Sequence, residues 1–229
     1  PTGIGKTAGS LFPLLKYSFR ENKKIVYLVS KSTQKDIVVE TADLLLKDFE
    51  KYHTTVIQAK DKICLTEEKD CSAEICPYVE QHYTSIFYHQ ALEEILTQSK
   101  TGLPEMIKEI AQKYNLCPFM LSLDLINYSD IVVCDYNYVF SPEIYLDFLL
   151  ENAKNTTLVI DEAHNLYARS KEYYSPMINI VEVYNLLQAM FFIPEEYRAI
   201  KRFLEEILDF YQIEYSSHSN KKQFFDIDQ

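Results

Sequence analysis

Leu158-Val159-Ile160-Asp161-Glu162-Ala163-His164 decides how this chain folds. Three apolar residues in a row predict a buried strand. The strand ends on two adjacent carboxylates, the groups that a magnesium ion and an attacking water require in phosphoryl transfer. The matching stretch lies about 150 residues upstream, in Pro1-Thr2-Gly3-Ile4-Gly5-Lys6-Thr7. Gly3 and Gly5 lack a Cβ, so the backbone can curl there and turn its N–H groups toward a polyanion. Glycine is scarce, four in 229 residues, and two of the four fall in this heptad, which favours a phosphate loop over a chance turn. Thr2, Gly3, Gly5, Lys6 and Thr7 are therefore the candidate ATP-binding residues. Lys6 supplies a mobile positive charge for the outer phosphates, and Thr7 with Asp161 supplies oxygen ligands for Mg2+. A helix predicted from Ala8 directs its positive N-terminus at the same phosphates. In this order and spacing the two motifs imply a nucleoside triphosphatase.

Between the motifs, apolar strands alternate with helices, which implies an α/β fold with a parallel sheet covered on both faces. A helix over 8–20 leads to the strand Lys24–Val29 and then to Ser30-Lys31-Ser32-Thr33-Gln34. A helix over 34–51 should bury Ile37, Val38, Ala42, Leu44 and Leu45 along one face. Thr54–Ala59 reads as a short strand. The alternation is lost over 61–117 and resumes with a helix at 118–127, the strand Asp130–Cys134, a helix at 143–152 and the strand Thr157–Ile160. Residues 173–215 read as helices rich in Tyr and Phe, whose aromatics are expected to form helical core.

Composition is that of a globular protein, with 47% hydrophobic and 25% charged residues and no apolar run of membrane-spanning length. A net charge of −11 excludes a protein that coats nucleic acid wholesale. The charge is unevenly spread: residues 1–60 carry +4, whereas 61–117, 118–170 and 171–229 carry −5, −6 and −4. Positive charge therefore gathers around the phosphate loop. A chain that opens Pro-Thr-Gly is expected to belong to a longer protein, with the strand before the loop and a second ATPase lobe outside it.

Four of the five cysteines, Cys64, Cys71, Cys76 and Cys117, fall in or at the end of the interrupted segment. Acidic residues and Pro77 break up the first three, which suits a metal site better than a packed core. Their spacing matches neither a paired zinc ribbon nor a ferredoxin run, so zinc and an iron–sulfur cluster both remain open. The segment is short and has few strong apolar runs, so a metal staple is expected to hold it together. Cys134, among Ile131, Val132 and Val133, reads as a small buried hydrophobe.

These stretches together resemble the first motor domain of the XPD/DinG-type iron–sulfur DNA helicases of superfamily two, the DEAH-box kind. The resemblance rests on PTGIGKT (1–7), YLVSKSTQ (27–34), Leu116-Cys117-Pro118-Phe119, DIVVCDYNYVFSP (130–142) and VIDEAHNL (159–166). It implies a RecA-like parallel sheet formed by 1–60 and 118–170, an inserted iron–sulfur domain over 61–117, and the start of a helical arch domain at 171–229. It implies ATP, Mg2+ and a [4Fe–4S] cluster on Cys64, Cys71, Cys76 and Cys117 as cofactors. It also implies single-stranded or forked DNA as partner, with Lys31 and Ser32 touching its backbone. In this reading Lys6, Glu162 and His164 are catalytic: Lys6 on the phosphates, Glu162 on the attacking water, His164 sensing the γ-phosphate. Arginines of a second lobe would complete the site, so this stretch alone should hydrolyse ATP poorly. No membrane partner is implied. The protein would act in the nucleoid of a bacterium or the nucleus of a eukaryote. The acidic 61–117 segment departs from a DNA-facing wedge, which would be basic. The alternative from another class is a nucleotide-dependent DNA-binding or redox-sensing module that does not unwind. Tyr136, Asn137 and Tyr138 are expected to pack rather than stack on bases.

Overall fold

In the computed structural model, residues 5–217 are described except 50, 68–70, 73, 143, 145, 147–151, 176, 177, 191–193, 195 and 196. Thr2 and Gly3 of the phosphate loop lie outside these residues, as does most of the helix expected at 143–152. The chain divides into two compact units, one up to Tyr173 and one from Tyr174.

The first unit is built on five parallel strands, β1 (Lys24–Val29), β2 (Thr54–Val56), β3 (Thr101–Gly102), β4 (Ile131–Asp135) and β5 (Thr156–Ile160), in the order β3-β2-β4-β1-β5. Ile25 lies between Ile131 of β4 and Thr157 of β5, so β1 is flanked by both. β5, read as a buried strand, is instead the outer strand of the described sheet, partly buried and with Leu158 exposed, because only β1 covers one of its edges there. The apolar runs of β1 and β4 follow from burial on both sides. Ile25, Tyr27, Val29, Ile131 and Val133 face a layer made by Leu11 and Leu15 of α1 (Lys6–Glu21) and by α2 (Thr33–Leu45). Val26, Leu28, Val132 and Cys134 face the opposite layer with Ile126, Tyr136 and Tyr138. Cys134 is fully buried there, as a small hydrophobe would be. Each such aliphatic side chain contributes about 1.5–3 kcal/mol by leaving water.

Helix α2 differs from expectation in length and in face. It ends at Leu45, where the chain turns inward on the buried Leu46. Its inner face is Lys35, Val38, Val39 and Ala42, while Ile37 and Leu44 point to solvent. The inner set follows the helical i, i+3, i+4, i+7 spacing from position 35. A lysine is tolerated there because its ammonium donates to the Ile57 carbonyl at 2.6 Å.

The segment 61–117 departs further. It holds its own apolar core, with Ile63, Ala91, Leu92, Ile95, Ile107 and Ile110 among the buried residues. These come chiefly from α5 (Tyr88–Gln98) and α6 (Pro104–Lys113), so these helices have an apolar core in addition to whatever the cysteines hold. The apolar residues are spaced at helical intervals rather than in runs, which is why they read as weak. The segment also supplies β3, which pairs with β2 through Thr54↔Thr101 and Thr55↔Gly102. Asp43 of α2 fastens it, accepting from Thr101 Oγ1 at 3.1 Å and from Tyr52 Oη at 3.0 Å.

Within unit 1, β5 runs into α9 (Leu166–Tyr173). The second unit contains α10 (Ile180–Ala189) and α11 (Arg198–Ser217). Asn179 caps α10, its side chain accepting from Val181 N at 3.1 Å. The aromatics expected as core here are largely at the surface: Tyr174, Tyr184, Phe203, Phe210 and Tyr211 are exposed. Two packed helices bury one stripe each, and this stretch has more aromatic residues than that stripe holds. Phe191 and Phe192 lie outside the described residues. Among the described residues no helix is long and apolar enough to cross a membrane.

Candidate functional site

Both motifs reach the C-terminal edge of the sheet, where α/β folds bind ligands. Gly5 sits in the left-handed region at φ 74°, a turn that a Cβ would strain, and α1 starts directly after it. Its N-cap, Gly5, has no side chain to cap that N-terminus, and among the described residues no acidic residue occupies the first turn. The first-turn N–H groups of a 16-residue helix are thus left for an outside acceptor, which fits the phosphates of ATP.

β5 delivers the carboxylates. The Asp161 N–H donates to the Leu28 carbonyl at 3.0 Å, extending the strand pairing by one residue. Glu162 then turns into the left-handed region at φ 49°, and its own N–H donates to Asp161 Oδ1 at 3.0 Å. This turn swings Glu162 toward the phosphate loop. The Lys6 ammonium lies 2.9 Å from Glu162 Oε1, and His164 Nδ1 lies 3.4 Å from Oε2. The hydrogen bond and charge of Glu162 raise the Lys6 pKa, and the same contact lowers that of Glu162. Both groups are open to solvent, so the pair marks position more than stability. His164 is largely exposed.

Two tyrosines lie beneath the site: Tyr27, to which sequence assigned no role, and Tyr136, to which it assigned only packing. The Tyr27 hydroxyl lies beside Ser10 and Thr7; burial raises its pKa, and the nearby hydroxyls oppose that shift. Tyr136, fully buried, donates its hydroxyl to the Asp161 carbonyl. The available signal was chemical: a tyrosine in or beside a buried apolar strand must find a partner for its hydroxyl. Tyr136 and Tyr138 are both buried, in keeping with packing rather than base stacking.

Lys31 and Ser32 are exposed just past β1. Gln34 Oε1 pins their loop, accepting from Ser30 N at 3.1 Å and Lys31 N at 3.0 Å. Ser32 borders a groove of about 620 Å³ that also takes in Lys35, Lys60, Lys62, Phe119 and Tyr138. Phe119 and Tyr138 lie 6.5 Å apart between ring centroids.

The four cysteines of the interrupted segment line one cavity of about 230 Å³, walled by Leu65, Val79 and Phe119. None is in a disulfide. Cys76 and Cys117 each stand just before a proline that opens a helix, α4 (Pro77–Gln81) and α7 (Pro118–Asp124). Burial pushes the Cys117 thiol up, against N–H bonds from Met120 and Phe119. Burial acts on Cys64 too, but bonds from Thr66 and Leu65 and the Lys60 charge outweigh it and lower its pKa. Cys134 belongs to the sheet core and does not border the cavity.

The DEAD_2 family model matches residues 19–183, about three quarters of the chain. The chain belongs to the DEAD_2 family. Among its curated relatives is a Dictyostelium discoideum general transcription and DNA repair factor IIH helicase subunit XPD, 35% identical over 74 residues, which cover 32% of this chain and 9% of that protein. A regulator of telomere elongation helicase 1 homolog from Aedes aegypti is 26% identical over 139 residues, covering 56% of this chain and 14% of that protein. The chain thus spans a small part of the DEAD_2 relatives it matches. A solved truncated XPD superposes with a TM-score of 0.60 at 22% identity, over 91% of this chain and 58% of that one. A solved XPD helicase gives 0.58 at 20% identity, over 91% and 35%. The fold of this DEAD_2 member is that of XPD.

Proposed function

We propose that the protein to which this stretch belongs is an ATP-dependent DNA helicase, coupling ATP hydrolysis to movement on single-stranded DNA and duplex unwinding. The observation that carries the reading is the meeting of Lys6 and Glu162 at 2.9 Å, with Asp161 beside them, on one edge of a parallel sheet. Lys6 and the first-turn amides of α1 hold the β- and γ-phosphates, while Thr7 and Asp161 are placed to hold Mg2+. Bound magnesium would supply charge for the transferring phosphoryl group. Glu162 orients and deprotonates the attacking water, and His164, within reach of Glu162, senses the γ-phosphate side.

The groove beside Ser32 suits a DNA strand. Lys60 and Lys62 at its rim can meet phosphates, and the half-buried Phe119 offers ring surface toward bases. Lys31 and Ser32 would contact the strand's backbone at the groove's entrance. The organisation that goes with this reading is a motor domain in two parts, 1–60 and 118–170, an insertion at 61–117, and the beginning of an arch domain at 171–229. Its place of action is wherever the chromosome lies, nucleoid or nucleus.

Cys64, Cys71, Cys76 and Cys117 would hold a [4Fe–4S] cluster, which contributes a fixed covalent tie between α3 (Lys60–Ile63), α4 and α7. A shared cavity and free thiols support this. Zinc needs ligands packed tetrahedrally about one ion, with Zn–S near about 2.3 Å. Among the described residues no three His, Cys, Asp or Glu side chains gather that way, and the cluster reading rests on the four-cysteine pattern and the shared cavity instead.

The test is ATP hydrolysis by the full-length protein with and without single-stranded DNA, in wild type and Glu162→Gln. Stimulation by DNA in the wild type and none in the variant is expected. Hydrolysis indifferent to DNA would remove the helicase reading.

A further inference from the structure

Three consecutive residues beyond β4 join the groove to the nucleotide site. Tyr136 donates its hydroxyl to the Asp161 carbonyl. Asn137 Oδ1 accepts from Tyr173 Oη at 2.5 Å, which ties the same turn to α9 beyond the DEAH residues. Tyr138 donates to the Gln58 carbonyl at 3.2 Å, and Gln58, Asn137 and Tyr138 all border the groove. Lys35 binds the neighbouring Ile57 carbonyl from the other side. The turn is stiff: Asn137 N donates to Asp135 Oδ1 at 2.9 Å, and α8 (Asn137–Phe140) begins at once.

The peptide between Asp161 and Glu162 is held at both ends. Tyr136 holds its carbonyl, and Asp161 Oδ1 holds its N–H. Rotation of that peptide is what would change the φ of Glu162, now 49°, and with it the direction of the catalytic carboxylate. A left-handed glutamate persists only where its surroundings over-determine it. A second arrangement of this one peptide would make a discrete switch, the element that coupling between sites requires.

We propose that the Tyr136–Tyr138 turn couples occupation of the groove by a DNA strand to the orientation of Glu162, with Tyr136 as the positioning residue. The inference rests on the helicase reading above. A strand seated against Tyr138 and Asn137 shifts the turn, Tyr136 carries the shift to the Asp161–Glu162 peptide, and Glu162 leaves Lys6 for the attacking water.

The test uses full-length protein with oligo(dT) as the probe, comparing wild type, Tyr136→Phe, Tyr138→Phe and the double variant. Each single variant removes one hydroxyl and keeps the ring. Tyr136→Phe is expected to lower oligo(dT)-stimulated kcat about tenfold while KM for ATP stays within about twofold, a split that general loosening would not give. Tyr138→Phe is expected to lose stimulation likewise, and the double variant is expected to be no worse than either. Losses that multiply in the double variant overturn the relay, as does a Tyr136→Phe protein stimulated like the wild type. A wild type that oligo(dT) does not stimulate overturns the helicase reading and the coupling together.

Discussion

The Lys6 ammonium and the Glu162 carboxylate pair at 2.9 Å across 156 residues of chain. In the proposed site, the cation meant for the phosphates and the carboxylate meant for the water are thus paired with each other. On that reading ATP and Glu162 compete for Lys6, and turning Glu162 toward the water is left to the coupling through Tyr136.

That competition makes Lys6→Ala and Glu162→Gln distinguishable. Lys6→Ala should abolish turnover and weaken ATP binding, since the phosphates lose their cation. Glu162→Gln should abolish turnover by 100-fold or more, on the order of what removing a general base costs, yet bind ATP at least as tightly as the wild type. Equilibrium binding of a labelled ATP analogue and steady-state hydrolysis by the full-length protein check both. Weakened binding in Glu162→Gln would show that the pair does not compete with nucleotide.

Serine in place of Cys64, Cys71, Cys76 or Cys117 should cost the protein its iron and acid-labile sulfide when purified without oxygen. Cys134→Ala should keep both. Because α5 and α6 have their own apolar core, the cluster-free variants should retain their helical circular dichroism. One zinc per chain without sulfide would overturn the cluster.

The same core makes a separate claim. Ile95 and Ile107 are fully buried within it, and Ile→Ala at either position should destabilise by about 2–5 kcal/mol. Urea unfolding of the purified protein measures this. A loss well under 1 kcal/mol, at the level of about a surface substitution, would mean the segment depends on its metal after all.

Burial lowers the pKa of the Lys24 ammonium to about 8 from 10.5, with Asp130 opposing. Below the folded value, lysine is charged in both states and the native protein carries the full cost of the half-buried charge. Between the two values the unfolded chain holds more protons, so stability rises with pH. The stability of the wild type relative to Lys24→Met should therefore rise by about 1–2 kcal/mol on going from about pH 7 to about pH 10, a figure reduced for partial solvent access. Urea titrations of both proteins at each pH decide it; a flat difference would refute it.

How much of this was visible in sequence varied with the kind of signal. β1 and β4 were legible because burial on both faces leaves an unbroken apolar run, and Asp161 and Lys6 because motif chemistry fixes residue types at fixed spacing. β5 was found by its apolar run, yet it is the outer strand of the described sheet and its Leu158 is exposed. β3 was not: Thr101-Gly102 is two residues long and neither is strongly apolar, so only its partner strand reveals it. Lys35 was hidden since a buried lysine looks polar until its carbonyl partner is seen. The core of 61–117 escaped because Ala91, Ile95, Ile107 and Ala111 are separated by charged residues, and helical spacing over such short helices carries little weight. Tyr136 looked like filler, and its hydroxyl has meaning only once Asp161 is placed beside it.

The pairing of β3 with β2 has a mechanical consequence. A segment that leaves a sheet and returns to it through hydrogen bonds is not a flap on a hinge but part of the chassis. To swing away from the sheet it would have to give up the Thr54–Thr101 and Thr55–Gly102 pairing as well as bend at its two ends.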